Sequence, residues 1–292
     1  MIRPYLEWVR QLEDWWEAGK QLPRGRTAPS GFVSPPGTGP VVLLFAPHPD
    51  DETLTGALAL RLMREAHVRV VNVAVTLGSR KERRAERLAE LRDACASLGF
   101  QLELLAPDGL EAVTLQARQH EPARWRCMVE QVGDLLLRHE PVAIFCPHDS
   151  DGHATHIGTH YLVCDALQQL ASRLDCRVIE TEFWAPLADP NLMVEVAPEL
   201  LADLLAATAC HAGEVERNPY HLRLPAWMMD NVRRGAELLG GFGATAPPFL
   251  FAQLFRMRHW REGQWEAITD SQKVLPITVS SATLLSPATG RS

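Results

Sequence analysis

The residues best suited to chemistry fall in two short clusters. The first is His48-Pro49-Asp50-Asp51-Glu52 and the second is His148-Asp149-Ser150-Asp151-Gly152-His153-Ala154-Thr155-His156. Three successive acids repel one another, so the run Asp50–Glu52 calls for a nearby cation, a helix N-terminus, or both. Each cluster also holds a pair of ligand-type side chains three apart, His48 with Asp51 and His153 with His156. A catalytic zinc takes three protein ligands, commonly His and carboxylate, and keeps a fourth position open. His48 and Asp51 can supply two ligands, and one of His153 and His156 the third. Asp50 then remains beside the metal as a carboxylate able to accept a proton from water whose pKa the ion lowers towards about 7. Such a set supports hydrolysis.

Two elements must position these clusters. Val41–Ala46 is an apolar run that reads as a strand ending at the first cluster, and Val142–Pro147 reads as a strand ending at the second. Further strands are expected over 68–76, 100–105 and 177–184. Helices are expected over 53–66, 81–98, 123–138 and 155–174. Largely apolar strands separated by helices predict a parallel sheet covered on both faces. The expected fold is α/β: a three-layer, Rossmann-like, mostly parallel sheet with helices on both faces. An N-terminal helix over 4–19 precedes it, and a C-terminal helical and strand extension follows. That extension has a strand over 192–196, helices near 198–209 and 218–238, and an edge strand over 249–255. Ligands of such sheets bind beyond the carboxyl ends of the strands, where both clusters lie. The expected organisation is an N-terminal helix and Pro/Gly-rich loop over 1–40, one catalytic domain over 41–270, and a tail over 271–292.

Taken alone, Asp50-Asp51 would do no more than open a helix, and H-x-x-H would be an ordinary helix pair. Their joint placement at strand ends of one sheet favours a metal hydrolase. A dinucleotide-binding protein would carry G-x-G-x-x-G after the first strand, and this chain has His-Pro-Asp-Asp there. The net charge of −7 over 292 residues argues against nucleic-acid or anionic-membrane partners. Charged residues interrupt the N-terminal segment, so a signal peptide is not expected, and there is no apolar run of about 18 residues to span a membrane. Six cysteines stand singly with no C-x-x-C pair. They read as reduced core residues of a cytoplasmic protein.

Ala46-Pro47-His48-Pro49-Asp50-Asp51-Glu52 resembles the [A/P]-H-P-D-D-E signature of the PIG-L (LmbE-like) zinc-dependent N-deacetylases. His153-Ala154-Thr155-His156 is similar to their second, H-x-x-H, signature. Val75-Thr76-Leu77-Gly78, Glu90-Leu91, Leu98-Gly99 and Pro107-Asp108-Gly109 extend the likeness over about 41–175. The resemblance implies one Zn2+ per chain held by His48, Asp51 and His156. It implies Asp50 as general base, and His153 as the group that stabilises the oxyanion and serves the leaving amine. The implied reaction removes an acetyl group from an amino sugar of the N-acetylglucosamine type. An amidase of sugar–thiol conjugates, or a Rossmann-like binding protein without catalysis, are the alternatives. One departure stands out: where family members often carry H-x-D-H, this chain has Thr155, leaving Asp149 or Asp151 to serve His153 instead.

Other candidates are weaker. Arg80, Asp108 and Asp151 are expected to contact a sugar substrate. Trp184 reads as core, although its ring could stack on a sugar. His148 and His160 read as structural, and Arg87 and Glu90 as a brace or surface pair. His211 and Asn218-Pro219-Tyr220 are placed near the substrate side. The Trp-rich first helix and Phe249–Phe255 are candidate interfaces for a homo-oligomer.

Overall fold

The computed structural model describes residues 3–25, 39–268 and 273–285. Residues 1–2, most of the Pro/Gly-rich loop (26–38), the junction of the expected domain and tail (269–272) and the end of that tail (286–292) lie outside the described residues.

Val41–Ala46 forms β1, and all six side chains are buried. They alternate between two cores: Val42, Leu44 and Ala46 face one, and Val41, Leu43 and Phe45 the other. This two-sided burial is what a central parallel strand requires, and each such aliphatic side chain contributes about 1.5–3 kcal/mol on leaving water. Four more parallel strands flank it: β2 (Arg69–Ala74), β3 (Gln101–Leu104), β4 (Ala143–Pro147) and β5 (Cys176–Thr181). The sheet continues through β6 (Leu192–Glu195), β7 (Ala252–Arg261), β8 (Gln264–Ala267) and β9 (Val274–Leu275). The order is β3-β2-β1-β4-β5-β7-β6-β9, with β8 paired to β7.

The helices are α1 (Pro4–Gly19), α2 (Asp51–Leu54), α3 (Ala57–Glu65), α4 (Arg84–Leu98), α5 (Leu115–His120), α6 (Pro122–His139), α7 (Ala154–Leu170), α8 (Pro198–Thr208), α9 (Ala212–Arg217) and α10 (Tyr220–Gly240). Apolar residues of α3, α4, α8 and α10 cover one face of the sheet, and those of α6 and α7 the other. The expected three-layer α/β fold is therefore present.

Three details differ from the expectations. The helix after the first cluster is two helices, α2 and α3, separated at Thr55-Gly56. A Cβ at Gly56 would lie 2.2 Å from the Glu52 carbonyl oxygen, so only glycine permits this join. The segment expected as an edge strand is longer and interior, because β7 pairs with β5 on one side and β6 on the other, both antiparallel. Its side chains are buried on both faces: Phe255 and Met257 join one core and Trp260 the other. Residues 274–285, set apart above as tail, add β9 to the sheet and place Leu284 against α3's core.

Candidate active site

The strand order reverses between β1 and β4, and the two chemical clusters face each other across that crevice. β1 ends at Ala46, and Pro47 is held where it turns: Thr76 donates to the Pro47 carbonyl from both Oγ1 (2.7 Å) and N–H (3.2 Å). The chain then passes through Asp50 at φ 115°, a left-handed conformation uncommon for any residue but glycine. Glu52 Oε2 accepts the Asp50 N–H at 2.9 Å, and Arg87 donates to the Pro49 carbonyl at 3.0 Å. These contacts hold the strained turn. On the opposite side, His153 caps α7, and His156 sits in its first turn.

Three ligand atoms converge. His48 Nδ1 lies 3.2 Å from His156 Nε2 and 3.4 Å from Asp51 Oδ2, and His156 Nε2 lies 3.2 Å from that same oxygen. Tetrahedral ligands bonded at about 2.0–2.1 Å stand about 3.3–3.4 Å apart. The triangle thus has the edges of a zinc-type site, and its nitrogen and oxygen donors suit such an ion. His153 offers a further ring nitrogen within 4.8 Å of those of His48 and His156. Its Nδ1, however, accepts the Thr155 N–H at 3.2 Å. Asp51 is the third atom of the tighter triangle. On the far side of His156, Nδ1 lies 3.1 Å from Asp151 Oδ1, which orients the ring and leaves Nε2 for the crevice.

The electrostatics divide the two aspartates. Burial opposes the Asp51 charge, but the His156 and His48 rings outweigh it and hold the carboxyl well below its usual range. For Asp50, burial and then the Asp51 charge outweigh the opposing effect of His211 and Arg87 and push its carboxyl well above that range. Burial also opposes the charge on His156, yet Asp51 and Asp151 raise its pKa to about 10. His153 moves the other way, lowered by burial and by the neighbouring His48 and His156.

Residues 43–167 match the family described as PIG-L: GlcNAc-PI de-N-acetylase, a span that holds both clusters and every atom of the triangle. These residues are a PIG-L family domain. No curated protein is significantly similar to the chain. Among solved structures, a conserved protein of Thermus thermophilus shares 21% identity at TM-score 0.57, covering 74% of this chain and 93% of that one. The N,N'-diacetylchitobiose deacetylase of Pyrococcus horikoshii shares 15% at TM-score 0.54, covering 74% and 83%. The 4-carboxy-2-hydroxymuconate hydratase of Pseudomonas putida shares 16% at TM-score 0.57, covering 80% and 99%. At these identities the likeness is one of fold.

The PIG-L crevice opens into a cleft of about 570 Å³ lined by His48, Asp50, Asp51, His153, Arg80 and Trp184, among others. Arg80 is where the sequence reading puts it. Asp108 is not: it is exposed and borders a separate depression with Pro107 and Ala85. Asp151 does not face the cleft either. It is buried behind His156, and its Oδ2 accepts the N–H groups of Phe183 and Trp184 at 3.2 and 3.3 Å. Neither loop acid serves His153, since Asp149 pairs with Arg256 at 3.1 Å. Trp184, read above as core, is 53% exposed and stacks on His153 with centroids 5.6 Å apart and planes at 27°. His211, placed near the substrate, is fully buried against Glu52.

His148 and His160 are structural, each buried and bonded to a backbone carbonyl, of Ala185 and Pro147 respectively. Arg87 and Glu90 are braces, with Glu90 accepting the Gly213 N–H at 3.0 Å. Sequence reasoning missed the part of Glu214, which gathers Arg83 and Arg217 at the cleft wall. It lies outside the PIG-L span, and no local pattern marks it.

Proposed function

We propose that this protein is a metal-dependent N-deacetylase that hydrolyses the acetamide of an N-acetylglucosamine-type amino sugar. The observation that carries the reading is the triangle of His48 Nδ1, Asp51 Oδ2 and His156 Nε2 beside the buried Asp50 carboxyl. His48, Asp51 and His156 would hold one zinc-type ion, which when bound supplies Lewis acidity to the acyl carbonyl and acidity to water. Asp50 takes a proton from the attacking water as the new C–O bond forms. His153, whose Nδ1 is occupied by the Thr155 N–H, carries its proton on Nε2 and donates to the carbonyl oxygen as that oxygen gains charge. The C–N bond then breaks, and the proton held by Asp50 passes to the leaving nitrogen, giving a free amine and acetate.

The deacetylase among the structural neighbours supports this reading, and so does the description of the family. Among the described residues no helix is long and apolar enough to cross a membrane. The six cysteines are unpaired, as suits a reducing compartment such as the cytoplasm. A second reading, hydration of a carboxylated unsaturated acid, is favoured by the basic cleft wall and by the hydratase that shares the fold. Metal analysis combined with acetate release from N-acetylglucosamine derivatives tests the proposal. A protein that binds no zinc under replete conditions, or that hydrates such an acid but frees no acetate, would sink it.

A further inference from the structure

No residue of α1 is buried, and the helix lies outside the span matched to the PIG-L family. Tyr5, Trp8, Leu12 and Trp15 follow one another at intervals of three, four and three residues. They are 85%, 60%, 46% and 49% exposed. That spacing is the a/d repeat of a coiled coil, which sets the four side chains in one seam along the helix. Val9, also exposed, widens it. α1 meets α10 near its C-terminal end, where Leu222 closes on Gly19 and the Arg223 guanidinium lies 5.1 Å from the centre of the Trp16 ring. The seam itself is left to solvent.

A contiguous apolar patch of this kind marks an interaction surface. Large aromatic side chains bury about 150–250 Å² each, so covering the seam in two copies withdraws roughly 1,000 Å² from water, near the lower end of specific interfaces. The charges select the partner and its direction. The first half of the segment carries Arg3 and Arg10 against Glu7, and the second carries Glu13, Asp14 and Glu17 against Lys20. The halves are opposite in net sign. A second copy laid antiparallel brings each half against its opposite, whereas a parallel one stacks like on like. Four acids against three bases also suit an anionic lipid surface poorly.

We propose that the protein self-associates through α1, with the seams of two copies packed antiparallel across a two-fold axis. An axis at the level of Arg10 sets Tyr5 opposite Trp15 of the second copy and Trp8 opposite its Leu12. Every seam residue then meets an apolar side chain, and Arg3 stands level with Glu17 of the second copy. Such a contact is self-complementary and closes at two chains. The proposal concerns assembly and stands apart from the chemistry of the cleft.

An interface of this size predicts a dimer of micromolar affinity, so the test is sedimentation velocity of the full chain from about 1 to 100 µM. At the upper end the wild-type protein should have twice the mass of a W8E/L12E variant, in which the seam carries like charges. The variant's Kd for self-association should be weaker by about tenfold or more. Trp8 and Leu12 are exposed within one copy, so the variant should keep the wild-type circular dichroism and thermal midpoint. Equal masses for the two proteins at every concentration overturn the proposal. So does a wild-type protein that stays monomeric but floats with phosphatidylcholine–phosphatidylglycerol vesicles, since the seam would then serve a lipid surface. Cross-linking reads the direction. With the exposed Cys127 replaced by serine, oxidation of mixed Y5C and W15C chains should join one to the other. Chains that join only to their own kind overturn the antiparallel arrangement.

Discussion

Glu52 Oε1 lies 2.7 Å from His211 Nε2, and neither side chain is exposed to solvent. The other oxygen of Glu52 accepts the Asp50 N–H. One carboxylate thus ties the strained turn of the first cluster to the segment between α8 and α9. Burial opposes the charge on His211, but Glu52 outweighs it and raises the pKa of the ring. His211→Ala should leave Glu52 charged and unpaired in the interior, at a cost of about 3–5 kcal/mol in stability. Urea unfolding of the metal-free protein measures this. A loss below about 1 kcal/mol would mean that the pair is not ionic.

Asp50 and His156 are assigned different work, so their variants should separate. Asp50→Asn is expected to keep full metal content and to lose about 10²–10⁴-fold in kcat, the range of general-base catalysis. His156→Ala is expected to lose the metal. Metal analysis beside acetate release checks both, and a His156→Ala protein that retains a full equivalent of zinc removes His156 from the ligand set.

The backbone of Asp50 offers an independent test. Its φ of 115° is sparsely populated by residues with a side chain, and such strain costs about 1–3 kcal/mol. Asp50→Gly should therefore be more stable than Asp50→Ala by about 1 kcal/mol, although both lack the carboxylate. Equal denaturation midpoints would show that the turn relaxes without strain.

Metal binding should expel a proton from His156. Its folded, metal-free pKa is about 10, against about 6.5 for an unperturbed histidine. Between those values the folded state binds more protons than the unfolded chain, so metal-free stability must fall as pH rises. The contribution is fully present below about pH 6.5 and lost by about pH 10. Unfolding of the chelated protein from pH 7 to pH 10 should show this decline, and His156→Gln should flatten it. Calorimetry in buffers of different ionisation enthalpy should record about one proton or more released per zinc near neutral pH. No proton release would contradict the placement of His156 between two carboxylates.

Thr155 stands where a carboxylate would raise the pKa of His153. Here the ring accepts a backbone N–H instead, and burial with two neighbouring imidazoles lowers its pKa. Thr155→Asp should raise the His153 pKa by about one unit or more, as an adjacent opposite charge does. Ring-proton NMR titration follows this directly. An unmoved titration curve would place the side chain at 155 out of reach of the ring.

Several of these relationships were legible in the chain and others were not. The apolar runs before His48 and His148 announce buried parallel strands, because side chains covered on both faces leave no polar alternation. Ligand-type side chains three residues apart announce a cluster, because a tight turn or one helical turn brings them together. Asp108 and Asp151 do not line the cleft, for one shared reason. A loop acid reads as available until the fold shows what it faces, and Asp151 is claimed by His156 and by two backbone N–H groups. Trp184 read as core because an aromatic residue after a strand usually packs there.

The sequence by itself determined the five parallel strands, the long helices between them and the two clusters, since periodicity and short spacing are local properties of the chain. Tertiary structure alone decided which third atom completes the triangle, that His211 rather than a nearby residue supports Glu52, and that β7 enters the sheet between β5 and β6. Glu52 and His211 are 159 residues apart. A contact across that distance depends on how helices and strands stack, which no short pattern records.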